Sequence, residues 1–140
     1  PQFNADGIAL SKDDRTLYFQ ALTGKTMYKV STDALEKAAT DPAAVKAEKF
    51  ADTEPTDGLW IDDQNRIYLS TMENNGVKVL GPDGKVTPFL EDSRLRWPDT
   101  FAQGPDGALY ITASHIQDSP WFNEGWTDTS FTLFKFAPPK

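Results

Sequence analysis

The stretch PTDGLWIDDQNRIYLS, residues 55–70, decides how the rest of the chain is interpreted. An Asp-Gly pair stands near its start, a short apolar run follows, and a polar turn leads into a second apolar run. Nearly the same phrase occurs twice more, as DGIALSKDDRTLYFQ at residues 6–20 and as DTFAQGPDGALYIT at residues 99–112. Internal repetition at this spacing indicates several similar structural units placed side by side.

Each phrase has the pattern of a β-hairpin. Its apolar runs are short, rich in β-branched and aromatic residues, and separated by Asp and Gly, which are turn-forming residues. This punctuation excludes a helical bundle. The residues that align are Asp6, Asp57 and Asp99 at the start of the phrase and Tyr18, Tyr68 and Tyr110 in its second apolar run.

A third strand is predicted in each unit, because an apolar-Lys-apolar triplet alternates with the period of two that strands show. The triplets occupy residues 28–30, 77–79 and 134–136. A turn then leads into residues 85–90, a predicted outermost strand in which Pro88 suits an edge position. Units of four antiparallel strands predict an all-β fold of about three four-stranded blades of a β-propeller, and a solenoid is the open alternative.

The predicted blades cover residues 6–30, 57–90 and 99–137 of a single domain, residues 1–140. Residues 31–50 are rich in Ala, Lys and Glu and predict a helical insertion between blades. Residues 114–128 form a predicted loop insertion that is rich in aromatic residues. Its aromatic side chains, Trp121, Phe122 and Trp126, either cover a blade edge or form a wall over a ligand site.

The charge balance limits the partners of the chain. Its 21 acidic and 14 basic residues give a net charge of −7, and no Lys/Arg cluster stands out. We therefore expect no nucleic-acid partner and no membrane partner, and a cation or a neutral small molecule fits better. The chain has no Cys, which excludes disulfides and thiolate metal sites, and its single His excludes a His-rich metal site.

The chain resembles a known family. It is similar to the C-terminal part of the major royal jelly/yellow proteins, in their bacterial branch related to L-dopachrome tautomerase, and in turn to the SMP-30/gluconolactonase propellers. The resemblance rests on three phrases, which are ADGIALSKDDRTLYFQALTGKTMYKV, EPTDGLWIDDQNRIYLSTMENNGVKVL and RLRWPDTFAQGPDGALYITASHIQ. It implies a six-bladed β-propeller, of which this chain would hold about three blades, a ligand at the central channel, and an extracellular or periplasmic location.

Three blades leave two open faces, since each blade of a repeat architecture packs against two neighbours. Exposed apolar surface of this kind drives association. We expect the partner to be either a complementary N-terminal propeller half or a second copy of the same chain.

The three aligned aspartates are the candidate site. In a propeller the starts of the innermost strands converge on one end of the channel, so Asp6, Asp57 and Asp99 should face one another. Like charges held together are costly unless a cation or protons neutralise them. Asp6 and Asp57 are predicted metal ligands, for Ca²⁺ or Mg²⁺ ahead of Zn²⁺, and Asp57 and Asp99 are predicted catalytic residues. The structural alternative is that an Asp before Gly only forms a turn.

The resemblance adds further candidates. In gluconolactonase-like relatives a Glu, an Asn before a Gly and an Asp in an Asp-Gly phrase hold a divalent metal. Asp57 matches that Asp, whereas Asp6 stands where the relatives have Asn. Asp6 is also a predicted ligand-binding residue, and the others are Trp97, His115 and Trp121.

Three functions stay open from the sequence. The first is a small-molecule-binding propeller of the royal jelly/yellow type, and a tautomerase-like proton transfer belongs to the same resemblance. The second is a metal-dependent, lactonase-like hydrolase of the SMP-30/gluconolactonase type. The third is an inactive fragment that needs a complementary half.

Overall fold

The chain folds into three antiparallel sheets in a computed structural model that describes residues 4–125 and 130–137. The first sheet contains β1 (Ala5–Leu10), β2 (Thr16–Ala21), β3 (Thr26–Ser31) and β4 (Glu48–Asp52). The second contains β5 (Thr56–Ile61), β6 (Ile67–Thr71), β7 (Gly76–Leu80) and β8 (Val86–Glu91). The third contains β9 (Pro98–Gln103), β10 (Leu109–Ala113) and β11 (Thr132–Phe136).

Every sheet is a meander in which each strand pairs with the next one along the chain. The repeated tyrosines have equivalent partners in the first hairpin of each sheet. The paired residues are Ala9 with Tyr18, Trp60 with Tyr68, and Ala102 with Tyr110. The three phrases therefore fold in the same way and in the same register, as the sequence repeat predicts.

The innermost strand of each sheet carries a bulge at the repeated Asp. In the first sheet Ala5 pairs with Ala21 and Ile8 with Phe19, so β1 contains one more residue than β2 over this interval. The same shift occurs in β5 between Thr56 and Leu59, and in β9 between Pro98 and Phe101. A bulge redirects the side chain at its position and bends the strand.

The innermost strands lie side by side, β1 against β5 and β5 against β9. The glycine after the Asp makes this contact close. A Cβ placed on Gly7 would lie 2.4 Å from the carbonyl oxygen of Asp57, and one on Gly58 would lie 1.7 Å from that of Asp99. Both positions therefore require a residue without a side chain.

Two apolar layers fill the spaces between neighbouring sheets. The first is formed by Ala9, Met27, Ala51, Ile61, Ile67, Leu69 and Leu80. The second is formed by Tyr68, Val77, Val79, Leu95, Leu109 and Ile111, with Trp60, Phe89, Phe101, Phe134 and Phe136 packed against it. Alternate residues of β6 face opposite layers, and full burial of each large side chain stabilises the fold by about 1.5–3 kcal/mol.

The sheets pack face to face around their innermost strands, so the chain is a partial β-propeller of three blades. Residues 77–79 and 134–136 lie in the third strands, and β8 with Pro88 is the outer edge strand of the second blade, as predicted. The third blade has three strands among the described residues, where four were predicted. No helix in the described part of the chain is long and apolar enough to cross a membrane.

The prediction of a helical insertion between blades at residues 31–50 was wrong in its position. Helix α1 (Thr32–Lys37) and a 3₁₀ turn at Pro42–Ala44 connect β3 to β4 within the first blade, which therefore extends to Asp52. The sequence analysis missed β4, because its sequence, EKFAD, does not show the apolar alternation that is typical of a strand. Because β4 is an outer edge strand, only Ala51 is buried, and the charged residues remain in solvent.

Substitution of Gly58 by Ala should destabilise the chain by about 3 kcal/mol or more, because the added methyl group meets the backbone of β9. The matched control is Gly107→Ala. Gly107 has φ 78° and nothing within 4 Å of its Cβ position, so only a conformational cost of about 1 kcal/mol is expected. Urea unfolding measures both. Equal losses of unfolding free energy in the two variants would contradict the close approach of the β9 backbone to Gly58.

Candidate functional site

The three repeated aspartates occupy the bulges of β1, β5 and β9. Asp57 and Asp99 are half-buried, and Asp6 is exposed. The charges of Asp99 and Asp6 both raise the pKa of Asp57, which places the three carboxylates within electrostatic reach of one another. The structure therefore brings together the residues that the repeat aligns.

Asp57 has the most perturbed environment of this group. Burial raises the pKa of its carboxyl from 3.8 to about 6, and the negative charges of Asp99 and Asp6 act in the same direction. A hydrogen bond from Trp97 opposes them, since it stabilises the ionised form. A carboxyl whose pKa is near neutral can both take up and release a proton under physiological conditions.

Trp97 holds the Asp57 carboxylate in place. Its indole Nε1 donates a hydrogen bond of 2.7 Å to Oδ2 of Asp57. The backbone of Trp97 has φ 51°, a left-handed conformation that is uncommon for a bulky residue. The Trp97 carbonyl accepts hydrogen bonds from the N–H of Ser114 at 3.0 Å and from its hydroxyl at 3.1 Å. Strain maintained in this way is typical of functional positions.

Two hydroxyl residues that the sequence analysis missed fix the bulges. The Gly58 N–H donates to Oγ of Ser70 at 2.7 Å, and the Thr100 N–H donates to Oγ1 of Thr112 at 3.1 Å. The Thr100 hydroxyl donates to Oδ1 of Asp99 at 2.9 Å. The repeat contains a signal for these residues, since a polar residue stands two positions after the aligned Tyr in all three phrases.

His115, a predicted ligand-binding residue, lies beside an ion pair. Asp118 is buried and accepts hydrogen bonds of 2.6 and 2.5 Å from the guanidinium of Arg96. Nδ1 of His115 lies 3.7 Å from Oδ2 of Asp118, and the backbone N–H of His115 donates to the Arg96 carbonyl at 3.2 Å. These contacts hold His115 in the turn that follows β10.

The aromatic residues of the loop insertion take different positions. Phe122 packs near Trp97, with ring centroids 6.2 Å apart. Trp121, the predicted ligand-binding residue, is 92% exposed, and Trp126 lies outside the described residues. Phe122 therefore supports Trp97, and Trp121 projects into solvent.

A cleft of about 420 Å³ lies next to Trp97. Pro55 and Met72 give it apolar walls together with Trp97, and Arg96 and Gln117 add polar groups. The cleft is large enough for a small-molecule ligand. It belongs to the same region as Asp57, because Pro55 stands two residues before this carboxylate and Trp97 bonds to it.

The described residues do not make a complete metal site on their own. No group of three or more His, Cys, Asp or Glu side chains within residues 4–125 and 130–137 is arranged to hold a metal ion. Asp6 and Asp57 bring carboxylate oxygens to the channel, which are the donors that hard cations prefer. Their number falls short of what such a cation requires.

Comparison of the sequence with family profiles identifies the class of protein. Residues 3–115 match the SMP-30/Gluconolactonase/LRE-like region, and this match covers most of the chain. The chain belongs to this family. A comparison with curated proteins finds no significant match.

Comparison with solved structures confirms the propeller fold. A gluconolactonase from Xanthomonas campestris is 17% identical with a TM-score of 0.68, covering 98% of this chain and 44% of that one. The calcium-binding protein regucalcin from Agrobacterium tumefaciens is 24% identical with a TM-score of 0.63, covering 77% and 37%. Virginiamycin B lyase from Staphylococcus aureus is 16% identical with a TM-score of 0.59, covering 96% and 41%.

The chain spans less than half the length of each of these structures. At such low identity the likeness shows the fold alone, and the gluconolactonase and the lyase have different activities on that fold. The comparisons support the gluconolactonase part of the resemblance. They give no support to the major royal jelly/yellow part.

Asp57→Asn should change how stability depends on pH. The pKa of Asp57 is about 6 in the folded chain and about 3.9 in an unfolded chain, so the folded state binds this proton more tightly. Stability from this group is fully present below pH 4 and is lost as the pH rises through 6. The pKa difference corresponds to about 3 kcal/mol, which screening by water reduces to about 1 kcal/mol for a half-buried group.

Urea unfolding of wild type and Asp57→Asn at pH 4, 5, 6 and 7 measures this effect. The difference in unfolding free energy between the two proteins should move in favour of the variant as the pH rises. A difference that stays constant over this range would contradict the raised pKa.

Trp97→Phe should raise the pKa of Asp57 above its value of about 6, because the variant keeps an aromatic ring and loses the N–H that stabilises the carboxylate. An NMR titration of the Asp57 side-chain carboxyl carbon measures this pKa. Trp60→Phe is the control, since Trp60 packs on Tyr68 in the second apolar layer. An unchanged or lower pKa in Trp97→Phe would show that the indole N–H does not stabilise the charge.

Proposed function

We propose that the assembled propeller to which this chain belongs hydrolyses a lactone, with Asp57 as the general base. One observation carries the proposal. In a chain of the SMP-30/gluconolactonase family, a half-buried carboxyl at the channel has a pKa of about 6 and a fixed orientation. General bases work best when their pKa lies near the operating pH.

The proposed reaction uses the two oxygens of Asp57 differently. Oδ2 accepts the hydrogen bond from Trp97, and Oδ1 accepts a proton from a water molecule. The water oxygen forms a bond to the lactone carbonyl carbon. The bond between that carbon and the ring oxygen then breaks, and the ring oxygen takes the proton from Asp57. The product is a hydroxy acid, and Asp57 ends the cycle as a carboxylate.

The acidity of the site favours release of the product. A lactone is neutral, whereas its hydroxy acid product is an anion at neutral pH. Asp6 and Asp99 hold negative charge beside Asp57, and the chain has a net charge of −7. Repulsion from like charges therefore acts on the product and not on the substrate.

The proposed substrate site is the cleft beside Trp97. Its apolar walls, Pro55 and Met72, would contact the carbon skeleton of the lactone. The polar groups of Arg96 and Gln117 would hydrogen-bond its oxygen atoms. Such a combination of apolar walls and a few polar groups is typical of small-molecule sites.

A divalent cation, Ca²⁺ or Mg²⁺ ahead of Zn²⁺, enters this proposal only for the assembled protein. Asp6 and Asp57 would give it carboxylate oxygens, and further donors would have to come from outside the described residues, which do not complete a site. Calcium binding by regucalcin supports the presence of such an ion in a propeller of similar fold.

Binding of a small molecule without turnover is the second candidate. The observation that favours it is the cleft itself, which is lined by Trp97, the hydrogen-bond partner of Asp57, while the described residues lack a complete metal site. The two candidates differ in whether a bound lactone is opened.

The test is hydrolysis of glucono-1,5-lactone by the assembled protein, followed with a pH indicator in the presence of Ca²⁺, Mg²⁺, Mn²⁺ or Zn²⁺. Asp57→Asn should lower kcat/KM by about 100-fold or more, because it removes the base. Asp83→Asn, which changes an exposed carboxylate in the turn between β7 and β8, should leave activity unchanged. Absence of hydrolysis with every ion, or equal activity of Asp57→Asn and wild type, would overturn the hydrolase proposal.

A further inference from the structure

The connection between β8 and β9 is held against the turn after β10 by backbone hydrogen bonds. The N–H of Ser114 donates to the carbonyl of Trp97 at 3.0 Å, and the N–H of His115 donates to that of Arg96 at 3.2 Å. Trp97 and His115 both have a left-handed backbone, with φ 51° and 52°. This conformation is disfavoured for bulky residues, so the surrounding contacts must maintain it.

An ion pair joins the same two segments. Asp118 is 4% exposed and ends a 3₁₀ turn at Ile116–Asp118. Its carboxylate accepts hydrogen bonds of 2.6 and 2.5 Å from Nε and Nη2 of Arg96. These hydrogen bonds lower the pKa of Asp118, which keeps the carboxyl ionised at neutral pH. Two parallel bonds between charged groups also fix the relative orientation of the segments that carry them.

The turn also contacts the indole ring of Trp97. Phe122 packs near this ring, with centroids 6.2 Å apart. The N–H of Phe122 donates to the carbonyl of Ser119 at 2.9 Å, and Ser119 directly follows Asp118. The location of Phe122 beside the indole therefore depends on where Asp118 holds the turn.

Arg96 lines the cleft, so an alternative role for it is to bind the ligand. The edge of its guanidinium formed by Nε and Nη2 already bonds to Asp118, and a ligand carboxylate cannot use that edge for a bidentate contact. The ion pair therefore acts within the protein. Trp97 is the next residue along the chain, and its Nε1 donates to Oδ2 of Asp57 at 2.7 Å.

We infer that Asp118 is a positioning residue for the candidate site. It holds Arg96 through the ion pair, and it thereby keeps Trp97 in the left-handed backbone from which the indole N–H reaches the carboxylate of Asp57. The expected effect on catalysis rests on the proposed lactone hydrolysis, whereas the effect on the Trp97 hydrogen bond does not.

The first test measures the Trp97 hydrogen bond by NMR in protein labelled with ¹⁵N-tryptophan. Trp97→Phe assigns the indole N–H resonance of this residue. Asp118→Asn keeps the size of the side chain and removes the charge that holds Arg96. The exchange of the Trp97 indole N–H with water should then become about tenfold faster or more, because the hydrogen bond opens more often.

Asp92→Asn is the matched control. Asp92 also pairs with an arginine of the same connection, since the guanidinium of Arg94 donates to it at 2.9 and 2.6 Å, but this pair lies at the surface. The control should leave the exchange rate unchanged, and circular dichroism verifies that the variants are folded. If Asp118→Asn does not fold, Arg96→Lys replaces it, because Lys keeps the positive charge opposite Asp118 and lacks the planar fork.

The second test measures kcat/KM for glucono-1,5-lactone in wild type, Asp118→Asn, Trp97→Phe and the double variant. Asp118→Asn alone should lower kcat/KM about tenfold, because the orientation of Asp57 is lost in part. Added to Trp97→Phe it should have no further effect, since the hydrogen bond that it supports is already absent. A residue that only stabilises the fold would lower kcat/KM by the same factor in both backgrounds.

An unchanged exchange rate in folded Asp118→Asn would overturn the inference, and so would an equal acceleration in Asp92→Asn. Losses of kcat/KM that multiply in the double variant would overturn it as well. If wild type opens no lactone, the proposed hydrolase function fails, and the exchange rates alone still decide the role of Asp118.

Discussion

Close approach between the innermost strands is the constraint on which the rest of the structure depends. Each of these strands carries one extra residue at its repeated Asp, and at Gly7 and Gly58 the neighbouring backbone comes too close for any side chain. The bulge turns the Asp side chain, and the glycine admits the next strand. The Asp-Gly pair therefore serves the packing of neighbouring strands, and the grouping of the three carboxylates is a consequence of that packing.

The same packing sets the chemistry of the site. Water is partly excluded from Asp57, and two further carboxylates stand near it, so its ionised form is disfavoured and its pKa moves to about 6. Trp97 limits this effect with one hydrogen bond, at the cost of a left-handed backbone that Ser114 helps to hold. These features cost local stability and keep the pKa of the Asp57 carboxyl near the pH at which it exchanges protons.

The three blades differ in ways that the repeat conceals. The first has a helix before its outer strand and an apolar face, with Ile8 and Leu10, that no described residue covers. The second is covered on both sides and contains the most buried side chains. The third has Thr100 at the position of Gly58, and contacts among Arg96, Asp118 and His115 hold the turn after β10. A gluconolactonase and a lyase share this fold, so the fold alone does not determine function.

The sequence by itself determined the hairpins, their register, the alignment of Asp6, Asp57 and Asp99, and the edge position of Pro88, because period-two alternation and turn residues act over short distances. It did not reveal β4, whose charged residues stay in solvent and carry no strand pattern. Only the tertiary structure decided that Trp97 bonds to Asp57, a residue 40 positions away, and that Trp121 projects into solvent. The pKa of Asp57 likewise arises from burial and from charges on other blades, and no local pattern encodes these.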